Sequence, residues 1–264
     1  MRIWPIVYGA VLLAAGMGAA PALAQEAPVP ADAPSAIDAK GDAGQTVAKP
    51  DEAAAEEPSK PFTFELDLAA VSDYRFRGIS LSDKDPAFQP SFTVSHQSGL
   101  YVSAWGSNIA ENDGDDIEID LIGGFAKTIN EFDLDVNATY YTYPGAKDLN
   151  YVEFIGTVSH AVGPATIGGT FAYTPKQGDA APRRGIYYAI NGELPLAKSG
   201  ISLTGSFGIE DNGFYRNKRD WSVGLSGEVL GFSLGAAYVD TAHTERDPLG
   251  KAGIVLSISR AFEF

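Results

Sequence analysis

The stretch FTFELDLAAV, residues 62–71, alternates apolar and polar side chains. Its even positions are apolar as far as Leu68, whereas its odd positions include Glu65 and Asp67. An alternation with a period of two predicts a β-strand that has one apolar and one polar face. Because the same parity continues through the following residues, the sequence predicts one long strand over residues 62–77.

Segments with the same alternation recur along the chain and are separated by turns. About twelve are expected, at residues 62–77, 87–96, 100–108, 116–127, 132–143, 151–162, 165–174, 185–193, 200–209, 220–229, 232–240 and 252–264. Short connections alternate with long, charged ones, as in outer-membrane barrels, where the short turns face the periplasm. The pattern therefore predicts an all-β fold, a transmembrane antiparallel up-and-down β-barrel of about 12 strands.

The last segment, GIVLSISRAFEF at residues 253–264, has an apolar parity that ends on Phe262 and Phe264. Arg260 is the one charged residue on that parity. The segment is expected to pair with the first strand, because a closed barrel has no free edge. A terminal aromatic strand also resembles the signal that the outer-membrane barrel assembly machinery recognises, which makes that machinery an expected partner through the strand ending at Phe264.

Aromatic residues on the apolar parity are sorted by position along the strands. Phenylalanines lie beside short turns and tyrosines beside long loops: Phe62, Phe125, Phe132, Phe232, Phe262 and Phe264, against Tyr74, Tyr140, Tyr173, Tyr188 and Tyr238. Two aromatic girdles are typical of a barrel that spans a bilayer. A soluble β-sandwich or lipocalin-like barrel is the alternative, but it has no reason to place aromatic residues at both strand ends.

The chain divides into three parts. Residues 1–24 are predicted to be a secretory signal peptide, with Arg2 before an apolar run and small residues at Ala22 and Ala24. Residues 25–60 are rich in Ala, Pro, Asp and Glu, and they are predicted to be a disordered periplasmic segment. The barrel is expected over residues 61–264, and the export signal places it in the outer membrane.

The chain has a net charge of −15 and no cysteine. Its acidic balance argues against a nucleic-acid partner, because the phosphates would be repelled. The lack of cysteine excludes disulfides and a lipid anchor on cysteine. Because no nucleotide-binding loop, histidine pair at ligand spacing or EF-hand pattern is found, no cofactor and no metal are expected.

Several motifs follow one another in an order that resembles the TorF family of porins. They are SDYRFRGIS (72–80), LYVSAWGSN (100–108), EIDLIGGF (118–125), YTYPG (141–145), YVEF (151–154), DWSVGL (220–225) and AYVDT (237–241). The resemblance covers residues 61–264, and SDYRFRGIS is its most specific part. It implies an outer-membrane porin, and the function expected of this chain is passive diffusion of ions or small hydrophilic solutes.

Side chains on the polar parity are expected to face the lumen. The candidate pore-lining residues are Glu65, Asp67, Asp73, Arg75, Arg77, Glu118, Asp120, Asp133, Asp135 and Glu153. The two arginines are expected at the same height as Glu118, Asp120 and Glu153. The set forms either a selective constriction or an internal ion-pair network that braces the barrel.

The lumen of a twelve-stranded barrel is expected to be narrow. The first long loop, ISLSDKDPAFQP at residues 79–90, either caps this lumen in solvent or folds into it. Because acidic residues are in excess among the candidates, the channel is predicted to prefer cations modestly.

Two other functions remain open for such a barrel. A structural or adhesive barrel would use outer loops, such as EDNGFYRNKRD (210–220) with Arg216, Lys218 and Arg219, to contact anionic lipopolysaccharide. A barrel hydrolase would need a histidine and a serine on the lipid-facing surface near the outer leaflet. The nearest pair, His96 and Ser98, lies in a short periplasmic turn, so the sequence does not predict an enzyme. Outer-membrane lipid, lipopolysaccharide and small solutes are the expected partners.

Overall fold

The structure is a computed structural model that describes residues 61–112, 114–244 and 247–264. The predicted signal peptide at 1–24 and the predicted disordered segment at 25–60 lie outside the described residues. Within the described ranges, no helix is both long enough and apolar enough to cross a membrane.

Within the described residues, twelve strands form a closed antiparallel barrel, and two short strands form a separate pair. In chain order the strands are β1 (Phe62–Val71), β2 (Arg75–Phe76), β3 (Ile79–Ser80), β4 (Ala87–His96), β5 (Leu100–Asn112), β6 (Asp115–Ile129), β7 (Phe132–Thr142), β8 (Tyr151–Val162), β9 (Ala165–Thr174), β10 (Gly185–Pro195), β11 (Ile201–Asp211), β12 (Lys218–Val229), β13 (Phe232–Ala242) and β14 (Gly253–Glu263). Short 3-10 helices lie at Lys147–Leu149 and Pro248–Gly250. Since β1 pairs with both β4 and β14, the ring is closed, and the predicted all-β up-and-down barrel is confirmed.

The outward face of the barrel is largely apolar because the alternation continues along most of each strand. Large side chains on this face remain exposed, such as Val223 at 57% and Ile254 at 62%. Four of the tyrosines predicted beside long loops are exposed on it: Tyr140, Tyr173, Tyr188 and Tyr238. The prediction for Tyr74 is wrong, because that side chain is buried inside the barrel.

The connections give the barrel two different ends. The short-turn end carries the connections 97–99, 130–131, 163–164, 196–200 and 230–231, together with residues 61 and 264. The long-loop end carries the connections 72–86, 143–150, 175–184, 212–217 and 243–252. The loop predicted at 109–115 is instead a strand hairpin, because β5 runs to Asn112, which pairs with Asp115 at the start of β6.

The first strand is shorter than predicted. β1 ends at Val71, and residues 73–82, called the plug below, turn into the lumen. β2 and β3 pair within the plug around Arg77 and Gly78, whose φ angles are 44° and 84°. Two consecutive positive φ values are typical of a tight type I′ hairpin turn. Because polar and apolar residues continue to alternate in the plug, parity alone did not reveal where the barrel wall ends.

The turn between β12 and β13 offers a test of the hairpin geometry. Leu230 has a φ of 55° and is 91% exposed, and Gly231 follows with a φ of 77°. A leucine in the left-handed region costs about 1–2 kcal/mol, whereas asparagine is preferred there. Leu230→Asn is therefore expected to raise the free energy of unfolding by roughly 1 kcal/mol, measured by urea unfolding of the lipid-reconstituted barrel.

Leu230→Val is the matched comparison, since a β-branched residue fits a positive φ less well. We expect it to lower the free energy of unfolding. The same stability for both variants would contradict the turn geometry.

Candidate functional site: the plug and the lumen around it

Three side chains of the plug pack into three separate clusters inside the barrel. Phe76 contacts a cluster that includes Tyr141, Ile79 packs with Leu249, and Tyr74 packs beside the start of β4. All three plug side chains are buried. Burying a large apolar side chain contributes about 1.5–3 kcal/mol, so these contacts anchor the plug at two points of the wall and at the long loop that contains Leu249.

Arg77 joins the plug to two strands that are three places apart in the barrel. Its Nη2 lies 2.8 Å from Glu153 Oε2 on β8, and its Nη1 lies 2.9 Å from Glu210 Oε1 on β11. The guanidinium also lies 4.1 Å from the ring centroid of Tyr187 and 4.5 Å from that of Phe76. Burial by itself lowers the pKa of Arg77, but the carboxylates of Glu153 and Glu210 raise it well above its usual range. Arg77 is therefore a permanent buried cation.

Lys218, at the start of β12, extends the same network. Its Nζ lies 2.9 Å from Glu210 Oε2 and 3.7 Å from Asp220 Oδ2, and it donates a hydrogen bond of 2.5 Å to the carbonyl oxygen of Arg77. The placement of Lys218 in an exposed loop is wrong, because its side chain is fully buried, whereas Arg216 and Arg219 of the same segment are exposed. Its ammonium instead binds the backbone of the plug at the hairpin turn.

A second group of polar contacts surrounds Glu118 on β6. Tyr74 donates a hydrogen bond to Glu118 Oε2 at 3.1 Å, and Tyr143 donates one to Glu118 Oε1 at 3.0 Å. Burial, together with the nearby charge of Glu118, raises the pKa of the Tyr143 phenol well above its usual range, which keeps its proton available. Tyr141 and Tyr151 stack beside this group with ring centroids 4.5 Å apart.

Arg75 holds the plug hairpin rather than facing the acids of β6 and β8. Its Nε lies 2.7 Å from Asp73 Oδ2, and its Nη1 donates a hydrogen bond of 2.8 Å to the carbonyl oxygen of Lys251. Ser80 completes the hairpin by donating a hydrogen bond of 2.6 Å to Asp73 Oδ1. The two arginines of the SDYRFRGIS motif therefore have different partners: Arg77 binds carboxylates of β8 and β11, whereas Arg75 binds the plug itself and the loop before β14.

The lumen is filled at the level of the plug. Glu118, Asp120 and Lys218 are all 0% exposed, and Glu153 is 1% exposed. Towards the short-turn end, four acids face inward and are partly or fully exposed: Glu65, Asp67, Asp133 and Asp135. A wet, acidic vestibule therefore leads from the short-turn end to a closed plug.

The predicted pore-lining residues thus fall into two sets, one at the plug and one in the vestibule. Among the predicted residues that the structure describes, only Arg77 and Glu153 form an ion pair between the plug and a barrel strand. Asp120 lies at the same level, and neither of its carboxylate oxygens has a hydrogen bond among the described residues. The position predicted for Asp73, Arg75 and Arg77 on the wall of the first strand is wrong, because all three belong to the plug or its hairpin turn.

Sequence reasoning missed three charged residues of the network, Glu210, Lys218 and Asp220. The signal was present, since Lys218 and Asp220 alternate with Arg219 and the outward-facing Trp221. β12 begins at Lys218, two residues before the predicted start of the strand. Starting the predicted strand two residues earlier, with the same alternation, would have placed Lys218 and Asp220 in the lumen.

The histidine and serine considered for hydrolysis lie in a turn at the short-turn end. His96 Nδ1 lies 2.8 Å from Ser98 Oγ, and the contact is exposed. Among the described residues there is no group of three or more His, Cys, Asp or Glu side chains that could hold a metal ion. The interpretation of the chain as a non-enzyme remains a prediction.

Fold and site together define a closed twelve-stranded barrel with a polar, internally plugged lumen. The chain belongs to a family described as "Bacterial protein of unknown function (Gcw_chp)", whose model matches residues 55–262. A comparison with curated proteins found no match. The family match covers the whole described barrel apart from its last two residues.

Solved membrane-protein structures are similar to this chain at low sequence identity. One, from a study of the in-meso crystallization of membrane proteins, has a TM-score of 0.50 and 10% identity, over 77% of this chain and 83% of that one. The NanC porin has a TM-score of 0.49 and 10% identity, over 74% and 98%. The KdgM porin has a TM-score of 0.48 and 5% identity, over 76% and 98%. At such identities the similarity concerns the fold alone.

The position of Gly78 tests how tightly the plug fits. A Cβ at Gly78 would contact Thr241 Cγ2 and lie 3.1 Å from Asp220 Cβ, in a residue whose φ is 84°. Gly78→Ala is therefore expected to weaken plug binding, because alanine is strained at this φ and pushes the hairpin off β12 and β13. Hydrogen exchange of the amides at 74–80 should become at least about tenfold faster, since tenfold corresponds to about 1.4 kcal/mol.

Gly178→Ala is the matched control. Gly178 also has a positive φ, of 53°, but a Cβ there would meet no atom within 4 Å. It should leave exchange in the plug unchanged. Equal plug exchange in the two variants would show that Gly78 is not in close contact with the wall.

Proposed function

We propose that the chain is an outer-membrane porin-like channel for ions or small hydrophilic solutes, closed by the plug and opened when the plug leaves its site. The observation that carries the proposal is the bridge from Arg77 to Glu153 and Glu210. It holds a loop segment across an otherwise polar lumen by means of charges. A segment held in this way can be released without unfolding the wall.

The outward surface supports a membrane location. Large apolar side chains are exposed along the strands, with aromatic residues towards both ends. Such a surface is unfavourable in water and favourable in hydrocarbon, and closure of the sheet pairs the backbone groups of the strands. Under this proposal the short-turn end faces the periplasm and the long-loop end faces outward.

The charges of the lumen support a preference for cations. Glu65, Asp67, Asp133 and Asp135 line the vestibule. Rings and clusters of acids in a pore favour cations. An open channel is therefore expected to pass cations more readily than anions.

A structural barrel without a pore is the second candidate, and the anchors of the plug favour it. Phe76 and Ile79 are almost fully buried, so releasing the plug exposes both side chains to the lumen. If the plug never leaves, the barrel serves as a scaffold for its outer loops, with lipopolysaccharide as the expected contact. Both candidate functions assume that the barrel assembly machinery inserts the chain into the outer membrane. Both are also compatible with the motif resemblance to TorF porins.

The decisive experiment removes the central cation of the plug. Arg77→Ala leaves Glu153 and Glu210 buried with less compensation, and removing one partner of a buried ion pair typically costs about 3–5 kcal/mol. That energy favours release of the plug by a factor of roughly 10²–10⁴. In planar bilayers under a salt gradient, we expect the variant to show frequent open steps with a cation-biased reversal potential, and the native protein to open rarely.

Two further variants separate plug release from general damage. Arg184→Ala removes an exposed arginine at the long-loop end that forms no ion pair among the described residues, and it should behave like the native protein. Arg77→Met combined with Glu153→Gln removes one cation and one carboxylate and leaves Glu210 paired with the buried Lys218, so this variant should stay closed. A silent, folded Arg77→Ala variant would favour the structural barrel, and an anion-selective native channel would contradict the charge argument.

A further inference from the structure

The outward face of the barrel carries basic side chains at the short-turn end, and these residues have no part in the proposed channel. Four basic residues of the barrel strands lie there: His96, Lys127, His160 and Arg260. Their cross-strand partners are Phe62, Leu134, Phe132 and Leu68, respectively, all of which belong to the apolar outward face. Directly paired residues project from the same face of a sheet, so the four basic side chains point outward.

The acidic side chains of the strands at this end have the opposite orientation. They lie on the lumen parity: Glu65, Asp67, Asp133, Asp135, Glu193, Glu228 and Glu263. The outward face at the short-turn end is therefore basic in a chain whose net charge is −15. The four residues His96, Lys127, His160 and Arg260 are called the basic belt below.

Arg260 shows how these charges are held. Its guanidinium lies 5.2 Å from the ring centroid of Phe232 and 5.1 Å from that of Phe262. It is exposed and forms no ion pair with any described residue. The phenylalanine rings hold the cation by cation–π attraction but do not neutralise it. An anion from outside the chain is required for that.

The two histidines of the belt also lie against phenylalanine rings. The ring of His96 lies 4.9 Å from that of Phe62, and the ring of His160 lies 4.6 Å from that of Phe132. Nδ1 of His160 contacts the carbonyl oxygen of Glu131 at 2.9 Å, so this nitrogen is the donor and Nε2 remains for an external group. Each histidine therefore presents a polar edge beside an aromatic residue of the short-turn girdle.

The belt occupies one contiguous part of the wall. Its residues lie on β14, β4, β6 and β8, and these strands fall within the consecutive run β14–β1–β4–β5–β6–β7–β8. A hydrocarbon environment would penalise an unpaired cation, but long basic side chains near a strand end reach the headgroups. The abundant anions at that height are lipid phosphates.

We infer that the basic belt is a binding surface for anionic phospholipids of the leaflet at the short-turn end, with Arg260 and Lys127 contacting headgroup phosphates. This inference rests on the membrane location proposed above, but not on an open pore. The acidic chain as a whole repels anionic lipid, so general electrostatics predicts the opposite preference. A measured preference for anionic lipid would therefore have to come from a local surface.

The test measures lipid selectivity of the protein in bilayers of phosphatidylcholine. Spin-labelled phosphatidylglycerol and spin-labelled phosphatidylcholine are added in separate samples, and electron spin resonance gives the relative association of each with the barrel. A basic residue near an anionic surface contributes on the order of a fivefold preference. We expect the native protein to prefer phosphatidylglycerol several-fold, and Lys127→Gln with Arg260→Gln to bring the ratio close to one.

Control variants decide whether the effect is local. Lys147→Gln with Arg184→Gln removes the same charge from exposed loops at the long-loop end and should keep the preference. Arg260→Lys retains the cation and should keep most of it. An unchanged ratio in the belt variant, an equal loss in the loop variant, or no preference in the native protein would overturn the inference.

The outcomes also distinguish a failure of the proposed channel function from a failure of the lipid-binding inference. If no motionally restricted lipid is seen at all, the barrel is not in the bilayer, which contradicts the membrane location and the belt together. If the lipid preference is found but no variant conducts ions, the inference about the basic belt is supported and the proposed channel function is contradicted.

Discussion

The fold depends on the closure of one sheet through β1. This strand pairs with β4 on one side and with β14 on the other, and the amide of Phe264 donates a hydrogen bond of 2.9 Å to the carbonyl oxygen of Phe64. Closure removes the two free edges that an open sheet would have. In the closed barrel the side chain of every strand residue faces either the outer surface or the lumen. The positions of the charged and aromatic residues along the chain reflect this division.

Closure creates a second requirement inside the barrel. Twelve strands enclose more space than wall side chains fill, and acids predominate on the lumen face. The plug supplies what the wall lacks: apolar side chains that occupy volume, and Arg77, which lies between carboxylates of β8 and β11. Lys218 adds a cation from the wall and binds the plug backbone. The interior is therefore stabilised by opposite charges from two different parts of the chain.

The wall was predictable from the sequence because alternation is a local property. The bounds of β4, β8 and β9 agree with the prediction to the residue, and the other wall strands except β1 agree to within four residues at each end. The plug was not predictable in the same way. Tyr74, Arg75 and Phe76 alternate as a strand would, although β1 has already ended at Val71, and the positive φ values of Arg77 and Gly78 then reverse the chain within the lumen. Lys218 was assigned to a loop because a lysine among polar residues looks the same whether it is solvated or buried opposite two acids.

The plug and the basic belt depend on the same strand register. A shift of β8 by one residue would turn Glu153 towards lipid, so that Arg77 would lose a carboxylate, and it would turn His160 into the lumen. A matching shift of β14 would move Arg260 inward and place the polar serines of that strand on the outward face. Errors of register are therefore penalised at both ends of the barrel, by an unpaired charge inside and by polar groups in hydrocarbon outside. The charges that serve the proposed functions also specify the one register in which the barrel closes.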